Sequence, residues 1–418
     1  MSRPLRILMI VFNPVGKGTY WRAFHFARHL ARRGHRVTLL AMARTRRLGW
    51  ASRQEEGVTI VESPDMLWGM LRSGWDVWDA LWRCAWCSRQ DFDLVHAFEC
   101  RPTVLLPALL MQKIRRVPLV LDWGDWFGRG GSVEERQQPL VRALLRPIET
   151  FFEERFRTQA DASAVICTTL RQKAEALGVP PERIARIRDG ADTEGLRPLD
   201  RDASRAALGL PAHAPLLGFV GAIFWRDAQL MAQAFDRIHA ARPDARLLLI
   251  GYVNMPIEQL VAAPQAVIRS GDLRYEALAS HLAACDLCWL PLCDSGANRG
   301  RWPLKLFDYM AAGRPTVATA VGDVPEVMQA HDIGALAAPT PQALAEAALA
   351  LLADPARRAR QGQQARRAAE GAYTWQQRTD ELEQIYAQAI AHHEQAREGA
   401  RPHGRPEAAG YRPRRRDL

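Results

Sequence analysis

Residues 298–315 read NRGRWPLKLFDYMAAGRP, and the chain continues as the short apolar run Thr316–Ala320. Pro303 suits the first turn of a helix, where its missing N–H costs nothing. Gly313 followed by Pro315 marks the stop. The loop ahead supplies Gly300 for close backbone approach, and Arg299, Arg301 and Lys305 stand around the amino end. Free N–H groups, the positive end of the helix dipole and three cations together make an anion site suited to a diphosphate. Asp308 falls about one and a half turns in, where a carboxylate can accept hydrogen bonds from a ribose diol. An ordinary surface helix with scattered charge would read the same way, so the surrounding sequence has to decide.

Outward from this stretch the chain alternates strand and helix patterns. Leu216–Val220, a helix over Gln229–Ala241, Arg246–Ile250, Val267–Ile268, a helix over Tyr275–Ala284 and Leu287–Leu290 precede it. The first half repeats the theme: Arg6–Phe12, a helix over Thr19–Arg33, Arg36–Met42, Leu94–Ala97, a helix around Val104–Ile114, Pro118–Leu121 and Ala164–Cys167. Such alternation with short Gly- or Pro-marked turns indicates parallel sheets covered on both faces. A loop rich in Asp, Gly and Pro, Asp189–Asp202, separates the two series and places the boundary near 195–212. The expected architecture is α/β, with two Rossmann-like doubly wound domains.

Composition agrees. At 418 residues the chain is too long for one ordinary core, and 48% hydrophobic with 24% charged residues is a globular balance. No run reaches about 18 uncharged apolar residues, so no spanning helix is expected. The opening Met1–Arg6 followed by Ile7–Phe12 imitates an export signal, but the apolar run is too short, and a cytoplasmic location is expected. Two C-x-x-C pairs, Cys84/Cys87 and Cys285/Cys288, lie in apolar context some 200 residues apart and read as reduced, half-buried thiols rather than metal ligands. The net charge is +10, of which +4 sits in residues 397–418. Those residues also carry Pro402, Pro406 and Pro413 and read as a disordered basic tail. The rest is too weakly basic for a nucleic-acid enzyme; nucleic acid and an anionic membrane surface are both accessory partners that such a tail suits.

One further segment stands apart. In 66–87, Leu67, Trp68, Leu71, Trp75, Trp78, Leu81, Trp82, Ala85 and Trp86 follow helical spacing, with Arg72, Asp76, Asp79 and Arg83 off that stripe. A core or interdomain helix and an interfacial membrane helix both fit this pattern.

The residues 302–328, WPLKLFDYMAAGRPTVATAVGDVPEVM, resemble the donor-binding region of glycosyltransferase family 4, the group 1 glycosyltransferases. The resemblance extends over 6–40, 93–110 (DLVHAFECRPTVLLPALL), 270–291 (SGDLRYEALASHLAACDLCWLP) and 373–390 (YTWQQRTDELEQIYAQAI), and so over most of residues 5–390. It implies a GT-B fold: an acceptor domain over 1–198, a donor domain over 199–374, and a C-terminal helix, 375–392, returning to the first domain. The activity implied is retaining transfer of a hexosyl-type sugar from a nucleotide sugar to a saccharide, lipid-linked or small-molecule acceptor. The donor is a co-substrate; no cofactor and no divalent metal is required.

Carried over by motif, Asp308 matches the ribose-holding acid. Lys305 and Leu306 match the start of the donor helix, with Arg299 and Arg301 beside them. Arg226 matches a phosphate-binding basic residue, Leu273 and Arg274 lie in the loop set against the base, and Gly16 and Gly18 form the loop facing the donor phosphate. On the acceptor side, LVLDWGDWFGRGG (119–131) matches a strand ending in T-x-H-D, which makes Asp122 and Asp125 candidates, with His96 as a third. Three positions depart from the family: Gly300 stands where its first acidic residue falls, Ala222 replaces an arginine, and Gly124 replaces a histidine. These departures keep two rivals in play, a sugar-nucleotide epimerase of the same fold and a non-catalytic subunit. A dinucleotide oxidoreductase fits less well, because Gly16-Lys17-Gly18 lacks the third glycine.

Overall fold

The computed structural model describes residues 3–399, so the tail at 400–418 lies outside the described residues. The first sheet comprises β1 (Arg6–Pro14), β2 (Arg36–Met42), β3 (Ala51–Glu55), β4 (Val58–Ser63), β5 (Leu94–Phe98), β6 (Leu119–Trp123), β7 (Ala162–Val165) and β8 (Ile184–Arg186). Their order is β3-β4-β2-β1-β5-β6-β7-β8, parallel except for the edge pair β3–β4. The second sheet comprises β9 (Leu216–Val220), β10 (Arg246–Ile250), β11 (Val267–Arg269), β12 (Leu287–Leu290), β13 (Thr316–Thr319) and β14 (Gly334–Ala337), all parallel in the order β11-β10-β9-β12-β13-β14. Central strands such as Ile7–Val11 and Leu247–Ile250 are buried on both faces, which is why they read as unbroken apolar runs.

The order reverses between β1 and β5 in one sheet and between β9 and β12 in the other. Clefts outside the carboxyl ends of strands at such switch points are where open α/β sheets bind ligands. The motif 298–315 sits at the second switch point, with its helix at Leu304–Ala311. The loop with Gly16 and Gly18 sits at the first.

Several elements carried no clear sequence signal. The β3–β4 hairpin, β8, β14 and the helices Pro139–Arg155, Pro341–Ala353 and Pro355–Ala372 are additions to the sequence reading. The helix expected from Gln229 begins at Trp225, which places Arg226 in its first turn rather than in a loop.

The last helix, Trp375–Gly399, leaves the second domain and packs on the first. Trp375, Leu382, Ile385, Tyr386 and Ala389 join the same core as Ile7, Met9 and Phe26. Trp375 stacks on His25 at 4.7 Å between ring centroids, and Tyr386 bonds His96 Nδ1 at 2.8 Å. Arg33 pairs with Glu383, and His393 lies 3.2 Å from Asp161. The chain therefore crosses between domains twice. Trp375→Ala should lower stability by about 3–5 kcal/mol, the usual cost of emptying a large buried aromatic site. Urea unfolding followed by circular dichroism measures it.

Candidate active site

On the first domain, β1 feeds the loop 13–18, where Gly16 and Gly18 have positive φ. A Cβ at Gly18 would meet Asn13 Nδ2 at 2.6 Å, so the turn needs glycine there. Trp21 donates its indole N–H to Gly16 O at 3.0 Å and stacks on Tyr275 of the second domain at 5.3 Å. The Lys17 ammonium lies 5.1 Å from the centre of the Tyr252 ring. This loop therefore faces the second domain across the cleft.

On the second domain, the helix Leu304–Ala311 places Lys305 and Asp308 three residues apart on one face. Lys305 Nζ donates to Ala222 O at 3.1 Å and lies 3.9 Å from the Phe219 ring centre. Burial, then the charge of Arg301, push its pKa down to about 7. Asp308 is buried, and no hydrogen bond holds its carboxyl among the described residues. Burial, then the charges of Asp192 and Asp189, push its pKa up to about 8.

Arg301 is steered by Asp227, 3.4 Å away, and by the Phe224 ring at 4.4 Å. Asp227 is itself buried and accepts from Cys293 N at 2.7 Å and Asn298 Nδ2 at 2.8 Å, which fixes the loop before the helix. Sequence reasoning missed Asp227, because only the fold brings residue 227 to loop 293–301.

Loop 123–131 of the first domain touches the second domain directly. Asp125 pairs with Arg301 as an isolated antiparallel bridge, and Trp126 N donates to Gly300 O at 3.1 Å. A Cβ at Gly300 would meet Trp126 Cβ at 2.6 Å. The absent acid at 300 thus has a packing cause: the indole occupies its place. Two further buried acids hold this loop. Glu99 accepts from Gly124 N at 2.6 Å and Asp125 N at 3.0 Å; Glu153 accepts from Phe127 N and Gly128 N at 2.7 Å each. Neither was visible in the sequence. Burial pushes Asp125 up to about 6, with Arg301 opposing.

Not every candidate reaches the cleft. Asp122 is fully buried and chelated by Arg22 at 2.9 and 3.0 Å, and His96, equally buried, sits between Asp122 at 3.5 Å and Tyr386. Both side chains are engaged in a buried network of the first domain rather than facing the cleft. Leu306 points into the core and its N–H bonds Pro303 O, so it backs the site rather than touching a donor. Arg299 is exposed and held bidentately by Asp294 at 2.6 Å. Arg274 is exposed beside Glu276 at 3.4 Å, while Leu273 is half-buried. Arg226 is exposed and 3.8 Å from Glu135 of the first domain. The residues actually gathered are the Gly16–Gly18 loop, Lys305, Asp308, Arg301 and Asp125.

Comparison with known proteins agrees with this geometry. The profile of group 1 glycosyl transferases matches residues 214–354, and that of glycosyl transferase 4-like domains matches residues 17–190. The chain belongs to the group 1, family 4-like glycosyltransferases of GT-B fold. D-inositol 3-phosphate glycosyltransferase 1 of Catenulispora acidiphila is 29% identical over 317 residues, 72% of this chain and 73% of that protein. Sucrose-phosphate synthase of Thermosynechococcus elongatus superposes with a TM-score of 0.74 at 19% identity, over 93% of this chain and 100% of that one. Anabaena HepE in complex with UDP-glucose superposes with a TM-score of 0.65 at 16% identity, over 92% and 99%.

Asp308 also leaves a signature in stability. Its carboxyl keeps a proton in the fold up to about pH 8, whereas the unfolded chain loses it near pH 4. The fold binds the extra proton between those values, so this group's contribution to stability falls as pH rises through that window. Asp308→Asn, which cannot ionise, should melt higher than the parent at pH 8, and the difference should vanish as pH approaches 4. Melting curves across that range measure it.

Proposed function

We propose that the protein transfers a hexosyl-type sugar from a nucleoside-diphosphate sugar to a saccharide or lipid-linked acceptor, with retention of configuration and without a divalent metal. The observation that carries this reading is Asp308: a buried carboxyl without a protein partner, one turn from Lys305, at a sheet switch point. A ribose diol would supply the two donors it lacks. Lys305, the amino end of its helix, Arg301 and Arg226 then face the diphosphate, whose charge grows as C1 gains oxocarbenium character. Stabilising that leaving charge is the largest contribution the site can make. With these cations no metal would be called for, and the leaving phosphate oxygen would take the acceptor proton. Asp125, on the loop that meets Arg301, is the acceptor-side carboxylate. Gly300 has a packing cause, which leaves Ala222 as the other feature that favours a non-catalytic subunit; nucleotide-sugar binding separates that rival from an enzyme, and dependence of turnover on acceptor separates transfer from epimerisation.

Each of the two hydrogen bonds between a ribose diol and the neutral carboxyl contributes about 0.5–1.5 kcal/mol, so Asp308→Ala should weaken nucleoside-diphosphate binding roughly 5- to 150-fold. Asp308→Glu should lose less. Calorimetric titration of all three proteins decides it, and equal affinities would remove the ribose role. Separately, turnover should survive excess chelator. Loss of turnover restored by Mn²⁺ or Mg²⁺ would show that the arginine and lysine charges do not suffice.

A further inference from the structure

Two neighbouring helical segments of the first domain are built inside out. In the helix Val77–Cys87 the charged residues face inward: Asp79 is 1% exposed and Arg83 0%. Its apolar residues face outward, Leu81 at 60% and Trp82 at 39%. The helix Pro139–Arg155 repeats the inversion: Glu149 and Glu153 are 2% and 3% exposed, whereas Leu140 and Leu144 are 86% and 66% exposed. Leu140, Leu144, Ile148 and Phe151 recur at helical spacing, so they form one stripe. Trp75, which ends the preceding helix Gly69–Trp75, packs edge-on against Phe152 at 5.5 Å. Ordinary amphipathic helices of soluble domains do the reverse, and large apolar side chains exposed together in this way mark an interaction surface.

The core reading of 66–87 fails for Trp68, Trp78 and Trp82, which are exposed, although Trp86 packs against the core. Arg83 goes inside instead, donating to Val11 O at 2.7 Å and Ser63 Oγ at 3.0 Å and pairing with Asp79 at 2.7 Å.

We propose that this face docks on an anionic lipid bilayer. Charge complementarity selects that occupant. The acids of the two helices are turned inward or paired, Glu154 with Lys173, while Arg155 is exposed beyond the apolar stripe and Arg146, exposed beside it, pairs with Glu134 at 2.8 Å. Arg46, also exposed, lies over the exposed Trp68 ring at 5.4 Å. Indoles beside arginines suit the headgroup zone, where the ring sits at the acyl boundary and the guanidinium meets lipid phosphate. Among the described residues no helix is long and apolar enough to cross a membrane, so the attachment is peripheral.

The face also connects to chemistry. Glu153, on the inward side of the docking helix, holds Phe127 N, Gly128 N and the Trp123 indole. The Asp125 loop therefore lies about one helix diameter, roughly 10 Å, from the bilayer side of that helix. A lipid-linked acceptor would reach Asp125 from the membrane. That last step rests on the transfer reading, whereas the docking itself does not.

The test is co-sedimentation of the full chain with phosphatidylcholine vesicles, with and without phosphatidylglycerol. The double variants Leu81→Gln/Trp82→Gln and Leu144→Gln/Phe151→Gln alter exposed positions only. Binding should require phosphatidylglycerol, and each double variant should weaken it at least roughly tenfold while leaving nucleoside-diphosphate affinity unchanged. Brominated phosphatidylcholine included in the anionic vesicles should quench the tryptophan fluorescence of the unaltered protein, a readout independent of any variant. Three results would overturn the proposal: binding undiminished in both variants, no binding to anionic vesicles, or a dimer that the substitutions dissociate. Failure of nucleotide binding would bear on the transfer reading alone.

Discussion

The buried guanidinium of Arg22 is the contact on which the two-domain arrangement turns. It donates to Asp122 at the end of β6, to Asp189 at 2.9 Å, and to Ile187 O at 2.8 Å, and it lies 5.0 Å from the Phe26 ring centre. One side chain thus ties the first helix to the strand that launches the acceptor loop and to the linker entering the second domain. Burial raises the cost of leaving either carboxylate alone, and both partners are present. Asp122 extends the same network through His96 to Tyr386, so the returning C-terminal helix is fastened to the same point. Arg28 and Asp192, paired at 3.0 Å, repeat the device one turn further along, with Tyr275 reaching Asp192 from the second domain at 3.2 Å.

With the domains held this way, the cleft has a defined floor. Glu99 and Glu153 are not substrate groups but clamps: together they take four backbone N–H groups of the turn that carries Asp125. Glu99 has positive φ, a strained backbone setting for a non-glycine residue, and Arg157 compensates its buried charge at 3.2 Å. The clamped turn then meets loop 296–301 so closely that Gly296 lies against Gly130 and Gly300 against Trp126. Glycine at 300 reflects contact between domains and does not by itself mean a lost site.

The electrostatics of the helix Leu304–Ala311 carry a cost. Lys305 and Asp308 are both pushed toward their neutral forms, the lysine to about 7 and the aspartate to about 8. Groups held this way gain from a ligand that brings phosphate charge to one and hydroxyl donors to the other. Such preorganisation at the expense of stability is common in binding sites. The same trade is visible on the outer surface of the first domain, where two helices bury charge and expose leucine and tryptophan.

Sequence alone determined the doubly wound architecture, because strands buried on both faces must be continuous apolar runs and their helices must alternate with them. It also located Lys305 and Asp308, since helix start, stop and face are all written within Pro303–Pro315. Short edge elements such as β3, β8 and β14 were not legible: three to five residues carry too little periodicity. Only tertiary structure could separate Asp125, which meets Arg301, from Asp122 three residues earlier, which Arg22 encloses. Asp122 lies near the end of the strand that Asp125 follows, and burial depends on partners a hundred or more residues away. The tryptophan stripe of 66–87 was legible as a stripe, but its direction was not. Helical spacing fixes which residues share a face, while the ion pair of Asp79 with Arg83, and the carbonyl of Val11 waiting beneath it, decided which face turned inward.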